Sequence, residues 1–153
     1  MIKKAHATPV ITAGAYSALD AVGSKMEFED VCSSYDSTGK IVQALIKDRA
    51  KQNALLYLVL FDRDFTETAD NDAFAVSDAD LYNVVAVLEF AIANYVDFDA
   101  NSIATLGFVN LDWEVPFVLT DGGTSLFGQL FVKTSTPTYV ATDDLRVELK
   151  IES

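Results

Sequence analysis

The chain has 153 residues, a formal net charge of −12, and hydrophobic side chains at half of its positions. A chain of this length can form one domain that buries about two-thirds of its unfolded surface, and this composition excludes global disorder. It contains no uncharged apolar run long enough to cross a membrane as a helix. No apolar segment follows Lys3 and Lys4, so we expect no cleaved secretory signal.

The negative charge is concentrated in the middle of the chain. Between Phe61 and Asp99 there are ten acidic residues against Arg63 alone, a net of −9, whereas the remainder carries thirteen acids and ten bases, a net of −3. Binding to nucleic acid phosphates requires clustered lysine and arginine. The charge therefore argues against direct nucleic acid binding and favours a role for the acids in solubility and mutual repulsion.

The residues needed for common catalytic chemistry are scarce. Cys32 is the only cysteine and His6 the only histidine, which excludes an intrachain disulfide, a zinc cluster and CxxC redox chemistry. A single unpaired cysteine suits a protein folded in a reducing cytosol. A Ser-His-Asp or Cys-His arrangement would have to use His6, and no G-x-S-x-G, P-loop or G-x-G-x-x-G motif occurs. We therefore expect no enzymatic activity and no cofactor.

Residues 1–14 lack a helical period and contain Pro9, so we predict an extended N-terminal arm with a short strand at Val10–Thr12. Its only charged side chains, Lys3 and Lys4, are positive, whereas the net charge of the rest of the chain is negative. Such an arm could lie on a neighbouring subunit, or it could be a frayed terminus.

Strand patterns follow a predicted loop at Ser17–Lys25. Met26, Phe28 and Val31 begin the first strand, Lys40–Asp48 forms the second, and Leu55–Phe61 is apolar enough to be covered on both faces. The charged segment between the second and third strands predicts that they pair as a hairpin.

An acidic surface loop is predicted for Asp62–Val76, followed by a helix N-terminus with Ser77 as the N-cap. The next residues satisfy both helical and strand periods. We predict a short helix over Asp78–Asn83 and then a strand to about Ile92, because the segment is rich in β-branched residues. One long helix is the alternative.

The pattern of apolar residues in the last third of the chain predicts three more strands. These are Trp113–Leu119, where Pro116 indicates an edge or a bulge, Ser125–Lys133 after a glycine turn, and Leu145–Ile151. In the last strand Arg146, Glu148 and Lys150 alternate with apolar residues, as in an outer strand with one face in water.

Together these patterns predict an all-β fold, an antiparallel β-sandwich or jelly-roll-like barrel of about seven or eight strands with one short helix. The extended arm occupies residues 1–14, and residues 15–153 form a single β-domain.

Two surface features could carry binding. Asp70-Asn71-Asp72 resembles the start of an EF-hand loop, but Phe74 and Ala75 replace a ligand and the glycine. We therefore assign no metal site, while a calcium site of another kind stays open. The second feature is surplus apolar surface, which predicts a protein interface. Its candidate residues are Trp113, Phe127, Phe131 and Tyr139, while Ile2, Val10 and Ile11 are the candidates for interface contacts of the arm. For the strand bearing Phe127 and Phe131, burial within the subunit is the alternative.

The segment "GTSLFGQLFVKTSTPTYVATDDLRVEL" (Gly123–Leu149) resembles small structural proteins of tailed-bacteriophage virions. "AYSALDAVGSKMEFEDV" (Ala15–Val31), "LVLFD" (Leu58–Asp62) and "DNDAFAVSDADL" (Asp70–Leu81) are similar to the same family. None of these segments is a catalytic signature. The resemblance covers nearly the whole chain, from about Ala15 to Ile151.

The resemblance implies a decoration or cement protein on the phage head, made in the host cytoplasm. Such proteins usually act as dimers or trimers that clamp neighbouring units of the major capsid protein, without contact to membrane or nucleic acid. A different class remains as the alternative, a small β-sandwich binding module for carbohydrate or calcium-dependent adhesion. The acidic loop 62–80, Trp113 and exposed tyrosines would carry binding there.

Overall fold

The structure is a computed structural model that describes residues 1–107, 113–120 and 122–153. In these residues two open antiparallel sheets pack face to face. The prediction of an all-β antiparallel sandwich with one short helix is confirmed, and the sheets do not close into a barrel. No helix in the described ranges is long and apolar enough to span a bilayer.

The described part of the chain contains ten strands rather than seven or eight. In chain order they are β1 (Ile2–Ala7), β2 (Ala21–Phe28), β3 (Thr38–Asp48), β4 (Leu56–Phe61), β5 (Val84–Phe90), β6 (Tyr95–Asp97), β7 (Ser102–Gly107), β8 (Val115–Val118), β9 (Leu126–Val132) and β10 (Leu145–Glu152). A short helix, α1 (Asp78–Leu81), precedes β5, and a 3-10 turn (Ile92–Asn94) joins β5 to β6.

The larger sheet has the order β1-β10-β3-β7-β6, with β8 paired to the beginning of β3. The smaller sheet has the order β2-β9-β4-β5. Apolar side chains from the facing sides of both sheets form one core, which includes Ile46 and Val147 of the larger sheet and Leu58 and Leu130 of the smaller. Pro116 lies in β8, which pairs with β3 alone, so its predicted edge position is confirmed.

The switch from helix to strand after Ser77 is confirmed. The Ser77 hydroxyl accepts a hydrogen bond from the Asp80 backbone N–H at 3.1 Å and caps α1. The chain then forms β5, which pairs with β4 along its whole length. Pairing and the β-branched composition together select the strand over one long helix.

The predicted hairpin between the second and third strands is wrong, because β3 lies in the larger sheet and β4 in the smaller one. The turn between them redirects the chain. The buried Asp48 carboxylate accepts hydrogen bonds from the backbone N–H groups of Ala50 (2.9 Å), Gln52 (2.8 Å) and Asn53 (3.1 Å). Lys51 and Asn53 both have a φ of 51°, so the segment turns out of the plane of the larger sheet.

Two boundary predictions near the N-terminus also need correction. The strand lies at Ile2–Ala7 rather than Val10–Thr12, and it pairs with β10 in the chain's own larger sheet. The predicted loop Ser17–Lys25 is partly strand, because β2 begins at Ala21 with a register shift between Val22 and Met26. Gly23, at a φ of 82°, lies within that shift, and the irregular backbone hides the strand period in the sequence.

Candidate interaction surfaces

Phe127 and Phe131 lie on the outer face of the smaller sheet, where the acidic loop covers them. Phe131 stacks between Tyr57 and Phe74, with ring centroids 5.1 Å and 4.6 Å away. Phe65 and Val76, from the same loop, belong to this outer apolar cluster. One face of β9 packs in the core between the sheets, and the other is covered by a loop of the same chain. The two phenylalanines on that outer face are therefore only partly exposed.

Ile11 and Tyr139 are buried in the main core, which corrects their assignment to an interface. The Tyr139 ring packs edge-on against Tyr16 at 5.9 Å. Trp113 is half-buried against the same core, and its ring fills the space beside Gly107, a glycine with a φ of 81°. Of the predicted interface residues, only Ile2 and Val10 have largely exposed side chains.

The acidic loop is held in place by its own carboxylates. Asp70 accepts hydrogen bonds from the Thr12 hydroxyl (2.6 Å), the Tyr16 hydroxyl (2.7 Å) and the Gly23 N–H (2.6 Å). Asp64 forms an ion pair with Lys25 at 2.5 Å, which places the pKa of Asp64 below its ordinary value. These acids attach the loop to β2 and to the N-terminal segment.

A calcium-binding role for this loop gains no structural support. The Asp70 carboxylate, first in the EF-hand-like stretch, is engaged by three donors of the same chain. In the described residues no group of three or more His, Cys, Asp or Glu side chains is placed to hold a metal ion.

Gln129, a buried polar residue of β9, fixes the same loop from beneath. Its side-chain amide donates to the carbonyl oxygens of Gly23 (3.0 Å) and Thr68 (2.6 Å), and its oxygen accepts from the Thr68 N–H at 3.1 Å. Sequence reasoning missed this residue. A single glutamine between apolar neighbours in a strand covered on both faces is the signal that could have found it.

The last strand is not an outer strand, because β10 lies between β1 and β3. Its Glu148 side chain is buried beneath Lys4, Lys47 and Arg146, so the prediction that it meets water is wrong. Burial alone raises the pKa of Glu148, but the hydrogen bond from Lys47 and the three positive charges outweigh it. The net effect is a pKa below the ordinary value.

Exposed apolar residues gather on one side of the sandwich. We call this the β5–β6 flank and define it as residues 81–98. β5 is the edge of the smaller sheet, β6 is the edge of the larger sheet, and the 3-10 turn connects them directly. Six of the thirteen exposed large hydrophobic residues in the described ranges lie here, each more than half exposed: Leu81, Tyr82, Val87, Ile92, Val96 and Phe98.

Sequence reasoning missed the β5–β6 flank. Val96 and Phe98 alternate with Asp97 and Asp99, which is the period of a strand with one apolar face. The sequence does not tell whether that apolar face turns inward or outward. In the structure both apolar side chains point to solvent.

His6 and Cys32 lie in different environments. Cys32 is buried, with its thiol 3.6 Å from the Gly123 carbonyl oxygen, and burial raises the pKa of that thiol. His6 is exposed on β1.

Comparisons with known proteins give little further information. No family model matches the chain, and no curated protein matches it. Among solved structures it is similar to a chain in the crystal structure of tomato aspermy virus. That match has a TM-score of 0.41 and 15% sequence identity, and it covers 99% of this chain and 75% of the viral chain. A likeness of this size carries no functional argument.

Proposed function

We propose that this chain is a non-enzymatic structural protein of a tailed-phage virion, a capsid decoration or cement protein. Its partners in this proposal are the major capsid protein and further copies of itself. The sequence resemblance over Ala15–Ile151 supports the class of protein. The β5–β6 flank is the observation that carries an assembly role, because exposed apolar residues concentrated in one segment at the edges of both sheets are typical of protein interfaces.

The hydrogen bonds within the sandwich suit a clamp whose surface is held in one conformation. The polar groups of Asp48, Asp70 and Gln129 are each engaged by backbone or side-chain donors and acceptors of the same chain. They fix turns and loops to the sandwich. Rigid elements that present a surface lose little conformational entropy when they bind, which favours a stable contact.

The mechanism is stabilisation by mass action. A protein that binds the assembled capsid lattice, and does not bind the free capsid subunit, shifts the assembly equilibrium toward the lattice. A hundredfold excess of free protein over its dissociation constant adds about 2.7 kcal/mol for each occupied site. Many sites on one shell then resist the pressure of packaged DNA together.

The test measures binding to expanded shells assembled from the major capsid protein of the phage that encodes this chain. We expect the unmodified chain to co-sediment with these shells, and a Val96→Asp/Phe98→Asp variant to lose binding by about tenfold or more. Tyr35→Ser is the matched control, since it removes a fully exposed aromatic residue from a different loop. Absence of co-sedimentation by the unmodified chain, at any concentration, would refute the capsid partner.

A further inference from the structure

A groove runs along the side of the sandwich opposite the β5–β6 flank, between the edge strands of the two sheets. We call it the β1 groove. One wall is β1 from Lys3 to Ala7, and the other carries Glu27, Glu29 and Asp30 at the end of β2. Its volume is about 720 Å³, within the range of cavities that hold ligands.

The β1 wall is a free sheet edge. β1 pairs with β10 on one side, and within the described residues its backbone makes no hydrogen bond on the other side. Unpaired N–H and C=O groups along an edge form a template for an added strand. The β1 groove therefore offers backbone partners to an extended segment.

On the other side of the β1 groove, loops of the same chain occupy β2 from Gly23 to Lys25, next to the wall of carboxylates. The N–H groups of Gly23 and Lys25 donate to the side chains of Asp70 and Glu67, at 2.6 Å and 2.5 Å. The Ser24 N–H donates to the Val10 carbonyl oxygen at 3.2 Å. A strand that enters the β1 groove can pair with the unpaired edge of β1 and so extend the larger sheet.

The negative charges on the wall of the β1 groove favour a positively charged binding partner. In the described part of the chain, Glu27, Glu29 and Asp30 form no ion pair. Lysine on a free edge, as in β1, ordinarily repels an added strand that also carries lysine. Three carboxylates on the facing wall reverse that preference, so the groove favours an extended strand that carries positive charge.

We propose that the β1 groove binds the β1 strand of a second copy of this chain, antiparallel to its own. β1 has the sequence IKKAHA, with two lysines and no acid. Lys3 of β1 lies opposite the buried Ile151 of β10 and on the same face of β1 as the buried Ala5. Its side chain therefore points toward the smaller sheet, where β2 is the edge strand. In a two-fold dimer the second copy's Lys3 points the same way, toward the carboxylates of the facing wall.

This inference rests on the self-association part of the proposed function and does not depend on the capsid partner. The contact is isologous, because each copy supplies one basic strand and one acidic wall. It joins two larger sheets into one continuous sheet across the dimer.

The experiment measures molar mass by light scattering over a range of concentrations. We expect a dimer at about 0.15 M salt that weakens as salt rises, because the groups that pair are only partly buried. Lys3→Glu and Glu29→Lys should each raise the dimer dissociation constant by about tenfold or more. Lys133→Glu is the control, since it reverses an exposed lysine just after β9 of the smaller sheet and should leave the dimer unchanged.

Mixing the two variants gives the decisive result. In the mixed pair, the Lys3→Glu strand faces the Glu29→Lys wall, and the unmodified strand faces the unmodified wall. We expect this mixture to recover dimer that neither variant forms alone. A dimer that both reversals leave intact would overturn the inference, as would a monomeric unmodified chain. If that monomer bound capsid shells through Lys3, the occupant would be a capsid segment instead. A dimer that binds no shell would refute only the capsid partner.

Discussion

Removal of the Asp70 carboxylate tests whether the acidic loop is a structural element of the fold. In Asp70→Ala the Thr12 hydroxyl, which is half-exposed, can turn to water. Tyr16 and Gly23 are buried residues, and the Tyr16 hydroxyl and the Gly23 N–H lose their acceptor. A buried donor without a partner costs about 1–3 kcal/mol, so two of them give an expected loss of about 2–6 kcal/mol in the free energy of unfolding.

Urea unfolding followed by tyrosine and tryptophan fluorescence measures this loss. Asp70→Asn keeps an acceptor oxygen and should lose only about 1–2 kcal/mol. Asp72→Ala removes a nearby exposed carboxylate that makes no hydrogen bond within the described residues, and it should stay within about 0.5 kcal/mol of the unmodified chain. The pKa of Tyr16, which burial and the Asp70 hydrogen bond raise, should fall in Asp70→Ala.

Two results would refute this reasoning. One is an Asp70→Ala variant that unfolds at the same urea concentration as the unmodified chain. The other is a rise of several degrees in the melting temperature when calcium is added, because a calcium ion would compete with the three donors for Asp70. The second result would support the calcium-dependent binding module.

Three further predictions concern other parts of the sandwich. Gln129→Leu leaves the Thr68 N–H and the Gly23 carbonyl oxygen without partners, so it should cost about 2–4 kcal/mol in urea unfolding and increase proteolysis within residues 62–76. Gly23→Ala should cost more than Gly122→Ala in the same assay. Both glycines have positive φ, at 82° and 79°, but only the new methyl at position 23 meets other atoms, Pro9 Cβ at 2.7 Å. Glu148, whose folded pKa is lowered, contributes stability above its unfolded pKa near 4.5 that is lost as pH falls through the folded pKa. Glu148→Gln should therefore unfold more readily than the unmodified chain at pH 7, and this difference should shrink when unfolding is measured at successively lower pH below about 4.5.

The sequence by itself determined the local elements of this protein. The Ser77 N-cap, the β-branched run of β5 and the apolar period of β10 each fix one element through contacts a few residues apart. Composition and alternating strands also set the fold class, because an all-β chain without repeated βα units packs as antiparallel sheets.

Only the tertiary structure decided how these elements pair and what covers them. The turn held by Asp48 directs β3 and β4 into different sheets. The alternation of apolar residues along two strands is the same whether they form a hairpin or lie in different sheets, so the sequence pattern does not distinguish the two. The alternation of apolar and charged residues in β10 predicts that Glu148 lies on the outer face of the sheet. It does not show that Lys4 and Lys47 cover the Glu148 carboxylate. The apolar outer face of β9 is closed by loop 62–76, which has no period of its own. Such contacts join residues far apart in the chain, and their geometry depends on the whole sandwich.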